Sequence, residues 1–378
     1  MGNNEQGFTE ADVRALCDVA RSTKIASDDT TSGVLAKKAA ARIGCKGIGF
    51  KSVFALSDTP HVVSSAFQLF FDAHHASGLG LLVPLWMTPE RRGSMPDWAL
   101  PAAPPSSDDS NAKANPWGTR LWLPLRAQHV GEWERMAGRL AATVKPHLLL
   151  FLNQLTTVSI RDTLTGLDAQ LHRRQLADGV VEVLISRAGV DSEQPASSAS
   201  ARLDTMPTPG SYRWMLHSHS VDAHGIVKQG TSGAASSHTA GGAPTSTTLK
   251  LAMPIAWPGH GKRADRRDGS SQAPQQYVYA FLPLCCYGLR FALHADWVVP
   301  SSREAVSTGS PWNELLRDAL PDAFTQMVLS TRDSQDLRSL WCVVHPFPHC
   351  GSRHLRDFWC PNVGRIWRRL HVVEFLLH

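Results

Sequence analysis

Evenly spaced cysteines, long uninterrupted apolar runs and dense basic clusters are all missing from this chain. Its seven cysteines are odd in number and irregularly placed, which argues against a disulfide framework and for a reducing compartment. The most apolar stretch, Tyr277 to Pro300, is interrupted by Pro283, Arg290, His294 and Asp296, so it reads as a pair of buried strands rather than a membrane span. Met1-Gly2-Asn3-Asn4-Glu5-Gln6 is polar and cannot act as a secretory signal. An intracellular protein, cytoplasmic or nuclear, with no membrane association is expected. The net charge of +5 is mild, and Arg91-Arg92 and Lys262-Arg263-Ala264-Asp265-Arg266-Arg267 are short runs typical of solvated loops. Nucleic acid is therefore not an expected partner. Cys342, His345, His349, Cys350, His354 and Cys360 match no standard zinc-finger spacing, and Pro346 and Pro348 interrupt them. No internal repeat is present.

Glycine is concentrated where it carries most meaning. Gly44-Cys45-Lys46-Gly47-Ile48-Gly49-Phe50-Lys51-Ser52 forms a G-x-x-G-x-G-F run, and Ser52 to Leu56 reads as a helix. Three glycines within six positions remove the side chains that would hold a ligand off the backbone. Amides ahead of a helix start can converge on an anion, and Lys46 and Lys51 add cationic charge beside them. The glycines are not followed by Gly-Lys-Ser/Thr, so this is no Walker loop, and no short hydrophobic strand runs into it as a dinucleotide fingerprint requires. Phosphate binding, most simply of a nucleotide, is the chemistry suggested; a glycine-rich turn capping a helix is the alternative.

Around this loop the chain reads as α/β. Thr9-x-x-Asp12 resembles a capping box, followed by Val13, Leu16, Cys17 and Ala20 at helical spacing. Ala66–Phe71 and Thr119–Leu125 read as strands, 131–155 as helical, and the Pro/Ser/Asp/Asn-rich 101–116 as a surface loop. From about 190 to 276 Ser, Ala, Gly, Thr and Pro dominate. That composition predicts a low-complexity insertion with strand pieces at Tyr212–His217 and Leu249–Met253. The expected layout is a first domain over 1–160, a variable insertion or linker over 161–276 and a second α/β domain over 277–378.

Four segments in this order resemble the GHKL ATPases, whose ATP site is the Bergerat fold. They are Asn3 to Val13, Gly44 to Asp58, Gly118-Thr119-Arg120-Leu121, and Asp296 to Glu304. The nearest branch is that of sacsin and the plant NO VEIN proteins, related to the ninety-kilodalton heat-shock chaperone. The resemblance implies an incomplete two-layer Bergerat sandwich followed by a middle or transducer-like domain. It implies ATP as ligand with Mg2+, and a chaperone-like activity acting on client or partner proteins. In the family's Asp-x-Gly-x-Gly adenine box the aligned residues here are Asn3, Glu5 and Gly7. An Asn oxygen can still accept from the adenine amine, although a plain turn residue is the alternative for Asn3. The resemblance also implies that Gly44, Lys46, Gly47, Ile48, Gly49, Phe50 and Lys51 face the phosphates. It places Ser22 to Arg42 as the lid and gives Thr119 a hydroxyl on the adenine; for Thr119 the alternative is an ordinary paired strand residue. Arg303, in a Ser-Arg-Glu run, would touch the terminal phosphate and act in catalysis, against the alternative of a salt bridge with Glu304 or another carboxylate. The family's earlier helix, with its water-activating Glu and magnesium-holding Asn, finds no counterpart before Met1. Neither Glu10 nor Asp12 can replace it, so hydrolysis is expected to fall by about two to four orders of magnitude. A non-catalytic interaction module on a degenerate scaffold is the competing expectation.

Overall fold

The computed structural model describes residues 1–17, 49–100, 118–164, 166–176, 179–188, 207–224, 226, 246–258, 276–300, 302–330, 358, 359 and 365. The expected lid, Gly44 to Ile48, the 101–116 loop and the Cys342–Cys360 cysteine and histidine positions lie outside these residues. The chain is α/β, as its pattern predicts, and divides into two compact units, Met1–Met136 and Ala137–His378.

In the first unit, β1 (Gly2–Asn3), β2 (His61–Ser64), β3 (Phe67–Phe70), β4 (Leu85–Trp86) and β5 (Thr119–Trp122) form an antiparallel sheet in the order β1-β5-β2-β3-β4. Residues directly opposite one another in such a sheet share a face. Val62 and Leu121 therefore stand together, packing with Phe71, Val53, Phe54, Phe8, Leu16 and Phe50. Val63 and Trp122 occupy the reverse face with Met87, Met95, Ala99 and Leu100. Apolar cover on both faces explains why His61-Val62-Val63-Ser64 is buried throughout. Helix α1 (Glu10–Cys17) starts where expected: the Thr9 amide and hydroxyl donate to Asp12 Oδ2 at 2.9 and 2.7 Å, and the Asp12 amide returns to Thr9 Oγ1. The helix expected from Ser52 is instead a 3₁₀ helix over Phe50–Ala55. It is too short for much of a dipole, so any anion affinity there rests on loop amides.

The second unit carries an eight-stranded sheet. Its strands are β6 (Thr157–Asp162), β7 (Leu167–Gln175), β8 (Val180–Ala188), β9 (Gly210–Asp222), β10 (Ser246–Ala256), β11 (Val278–Ala280), β12 (Leu282–Pro283) and β13 (Ala292–His294). They lie in the order β12-β11-β13-β10-β9-β8-β7-β6, and only the β11–β13 pair is parallel. Helices Pro311–Asp318 and Leu320–Ser330 bring Leu316, Leu320, Phe324 and Met327 to Leu249, Leu251, Met253, Leu293 and Val278.

Two expectations change here. The pieces foreseen at Tyr212–His217 and Leu249–Met253 are the centres of long strands, and they supply fully buried Trp214, Leu249, Leu251 and Met253. The described parts of 190–276 are thus core rather than insertion, because two short alternating runs were diluted by the small polar residues around them. The division between units also falls at Met136/Ala137, ahead of residue 160.

Asp296 to Val299, at the end of the stretch read as a pair of buried strands, is not in a sheet. A side chain takes the neighbour's place: Asn313 Oδ1 accepts from the Val298 amide and Nδ2 donates to the Val298 carbonyl, both at 2.8 Å. On β8, Glu182 is buried and receives hydrogen bonds from Ser211 Oγ at 2.6 Å, Arg213 Nε at 2.8 Å and Arg174 Nε. Burial pushes the Glu182 carboxyl up, but these three donors outweigh it and hold its pKa at about 2.

Candidate functional site

In the first unit the register aligns Asn3 on β1 with Thr119 on β5, and Thr119 with Ser64 on β2. All three side chains stand on the face that carries Phe50 and Phe54, because Thr119 alternates with Leu121 and Ser64 with Val62. Ser64 Oγ lies 2.5 Å from Thr119 Oγ1 and accepts from the Phe8 amide at 2.7 Å. Asn3 Oδ1 holds a longer bond, 3.4 Å, from the Glu5 amide.

The loop between Asn3 and Phe8 is clasped from both sides. The Gly118 amide donates to the Asn3 carbonyl at 2.8 Å, and Ser65 Oγ donates to the Gln6 carbonyl at 3.2 Å. Gly7 has φ +94°, open to glycine and strained for other residues, and a Cβ there would fall 1.9 Å from Ser65 Oγ. Glycine at 118 answers a different need: a Cβ would meet the Glu5 carbonyl oxygen at 1.7 Å.

Of the expected phosphate-facing residues, Gly49, Phe50 and Lys51 are described. Gly49 has φ −60° and ψ −42°, and a Cβ there would touch nothing within 4 Å. Neither conformation nor packing requires glycine at that position. Phe50 packs into the core beside Phe54 and Phe71. Lys51 donates to the Leu81 carbonyl at 2.7 Å and lies 5.2 Å from the Phe71 ring centroid, a cation–π arrangement. Burial lowers its pKa, and Cys17 partly opposes that shift. The ammonium is thus committed to a carbonyl and an aromatic cluster.

Arg303 belongs to the second unit. It has a left-handed φ of 56°, and its guanidinium donates to the Ala280 carbonyl at 2.7 Å. The residues that sequence reasoning missed are Ser64 and Ser65; Phe8 and Gly118 fall inside the segments that carry the resemblance, which assigns them no role. The signal for them was modest: a Ser-Ser pair closing a strand, and a glycine just ahead of Thr119. Among the described residues no helix is long and apolar enough to cross a membrane.

No protein-family model matches the chain. It is 28% identical to Protein NO VEIN of Arabidopsis thaliana over 335 residues, which is 87% of this chain and 10% of that protein. The chain thus spans about a tenth of the length of the curated relative it matches. Over most of its own length it is similar to NO VEIN.

Proposed function

We propose that the first unit binds an adenine nucleotide, ATP, as part of a chaperone-like module. One observation carries this: an amide and two hydroxyls, from Asn3, Thr119 and Ser64, form a row across three strands on the sheet face that Phe50 and Phe54 share with them. The glycine-rich run leads directly into those two aromatics. Asn3 and Thr119, able to accept and donate beside apolar rings with Ser64 buried behind them, suit a purine edge. The described residues include no group of three His, Cys, Asp or Glu able to hold a metal ion, so no protein ligand is assigned to Mg2+.

Gly49 provides a clean test. Gly49→Val introduces no strained φ, and its Cβ meets nothing within 4 Å among the described residues, so its melting temperature without ligand should stay close to that of the parent. ATP at a hundredfold excess over Kd should stabilise the parent by about 2.7 kcal/mol. The branched side chain should block backbone approach to the phosphates and abolish that shift. An equal shift in the variant would remove the loop from the site.

A second reading, a protein-interaction module on the same scaffold, is favoured by exposed Leu79, Leu81, Val83 and Trp86, which lead into and form the edge strand β4. It is the reading that remains if ATP leaves the parent's melting temperature unchanged.

A further inference from the structure

We propose that Ser64 is a positioning residue that fixes the Thr119 hydroxyl as a hydrogen-bond donor and thereby sets base selectivity; this rests on the nucleotide reading above. Ser64 has no exposed surface, so it acts through its neighbour rather than on a ligand. Valence fixes one bond and burial the other. An amide N–H can only donate, so Ser64 Oγ must accept from Phe8 at 2.7 Å. Distance alone lets either hydroxyl donate across the 2.5 Å Ser64–Thr119 contact, but Ser64 is fully buried and its proton has no other acceptor among the described residues, so Ser64 is assigned as the donor. A hydroxyl that accepts a hydrogen bond is itself polarised into a better donor. The chain therefore runs from the Phe8 amide through Ser64 to Thr119, and it leaves the Thr119 proton as the one that points out of the row.

That polarity discriminates between bases. Adenine presents a bare ring nitrogen at N1, which accepts a donated proton. Guanine carries a proton at the same nitrogen, so a fixed donor facing it would leave two donors opposed. Without Ser64's proton the Thr119 hydroxyl can rotate and accept, and the penalty against guanine disappears. Phe8 follows Gly7, so the relay also couples selectivity to the clasped loop.

The test measures ATP and GTP affinities by competition for the parent chain, Ser64→Ala, Ser64→Thr and Ser64→Val. Ser64→Thr keeps the hydroxyl and should keep the parent preference for ATP. Ser64→Ala should reduce that preference by about tenfold or more, chiefly through tighter GTP binding. Ser64→Ala and Ser64→Val both leave the Phe8 amide without its acceptor; if neither folds, the parent chain is tested with 1-deaza-ATP, which lacks the N1 acceptor, and is expected to bind it at least tenfold more weakly than ATP, while equal affinity overturns the fixed-donor role. A parent that prefers ATP while Ser64→Ala and Ser64→Val retain the same preference overturns the Ser64 role and leaves the nucleotide reading standing. A parent that binds neither nucleotide overturns that reading and this one together.

Discussion

Gly118→Ala is expected to destabilise the first unit by about 3 kcal/mol or more and to abolish any response to ATP. The added Cβ would lie 1.7 Å from the Glu5 carbonyl oxygen and 2.8 Å from its carbon. Both are backbone atoms, so no side-chain rotation can relieve the overlap. Either β1 and its loop lift away, breaking the Gly118 bond to the Asn3 carbonyl, or β5 shifts and takes Thr119 with it. Both routes break up the polar row. Gly7→Ala should cost less, about 1–3 kcal/mol. Its φ of +94° is strained for alanine, but the atom it meets is the Ser65 hydroxyl, which can turn aside. The expected order of damage is therefore Gly118, then Gly7, with Gly49 almost silent in the absence of ligand. Denaturant midpoints of the three variants check it, and a Gly118→Ala variant as stable as the parent would show that β1 does not hold its loop this way.

Acid should weaken the second unit from the neutral side onward. His147 and His294 are buried neutral among aromatic rings: His147 stacks on Tyr277 at 4.9 Å, and His294 lies 4.9 Å from both Phe151 and Phe281. Burial, with Lys145 adding to it, lowers His147 to about 4. Burial with the help of Lys250 lowers His294 to about 3, although its own backbone bond pulls the other way. An unfolded histidine titrates near 6.5, so below that pH the unfolded chain binds protons that the folded chain refuses, and stability falls with falling pH. The loss runs from about 6.5 down to about 4 for His147 and about 3 for His294. Glu182 adds to it lower down: its unfolded carboxyl protonates near 4.5 and its folded one near 2, so its contribution is present above 4.5 and lost across that interval. The signs agree, and the two histidines alone amount to something on the order of 4 kcal/mol by pH 5. Thermal melts between pH 7.5 and 4.5 should slope downward with pH. His294→Phe should flatten that slope and raise stability, because both ring nitrogens are buried and neither makes a hydrogen bond of good geometry, the weak contact with its own backbone included. A melting temperature constant across this range would show that the two imidazoles are hydrated.

How far the sequence could be read depended on whether a pattern was local. The Thr9–Asp12 cap, β3 and β5 each rest on a few adjacent residues, and they appear where expected. The helix expected over 131–155 stops at Thr143, because Pro146 cannot continue it and instead opens a 3₁₀ helix over Pro146–Leu149. Ser64 was invisible for another reason: its importance lies in two bonds that span 55 and 56 residues of chain. Thr119 came into view through a resemblance that could not show what its hydroxyl touches. Arg303 likewise was expected at a phosphate, and its bond to the Ala280 carbonyl depends on a left-handed turn that a Ser-Arg-Glu run does not announce.

Asn313 makes one stretch of the second unit unusually dependent on the identity of a single atom. Its amide nitrogen serves the carbonyls of Val298 and Ser307, each at 2.8 Å, while its oxygen receives the Val298 amide. Exchange of that nitrogen for oxygen, by a single-base codon change to aspartate or by spontaneous deamidation, preserves size and shape. It would nonetheless turn both donated bonds into contacts between a carboxylate and two carbonyls in a buried site. The helix that holds Asn313 also ties the Glu314 amide, the nitrogen that would attack the side-chain carbonyl in deamidation, to the Ser310 carbonyl at 2.9 Å, so folding protects this residue from the chemical ageing it could least survive.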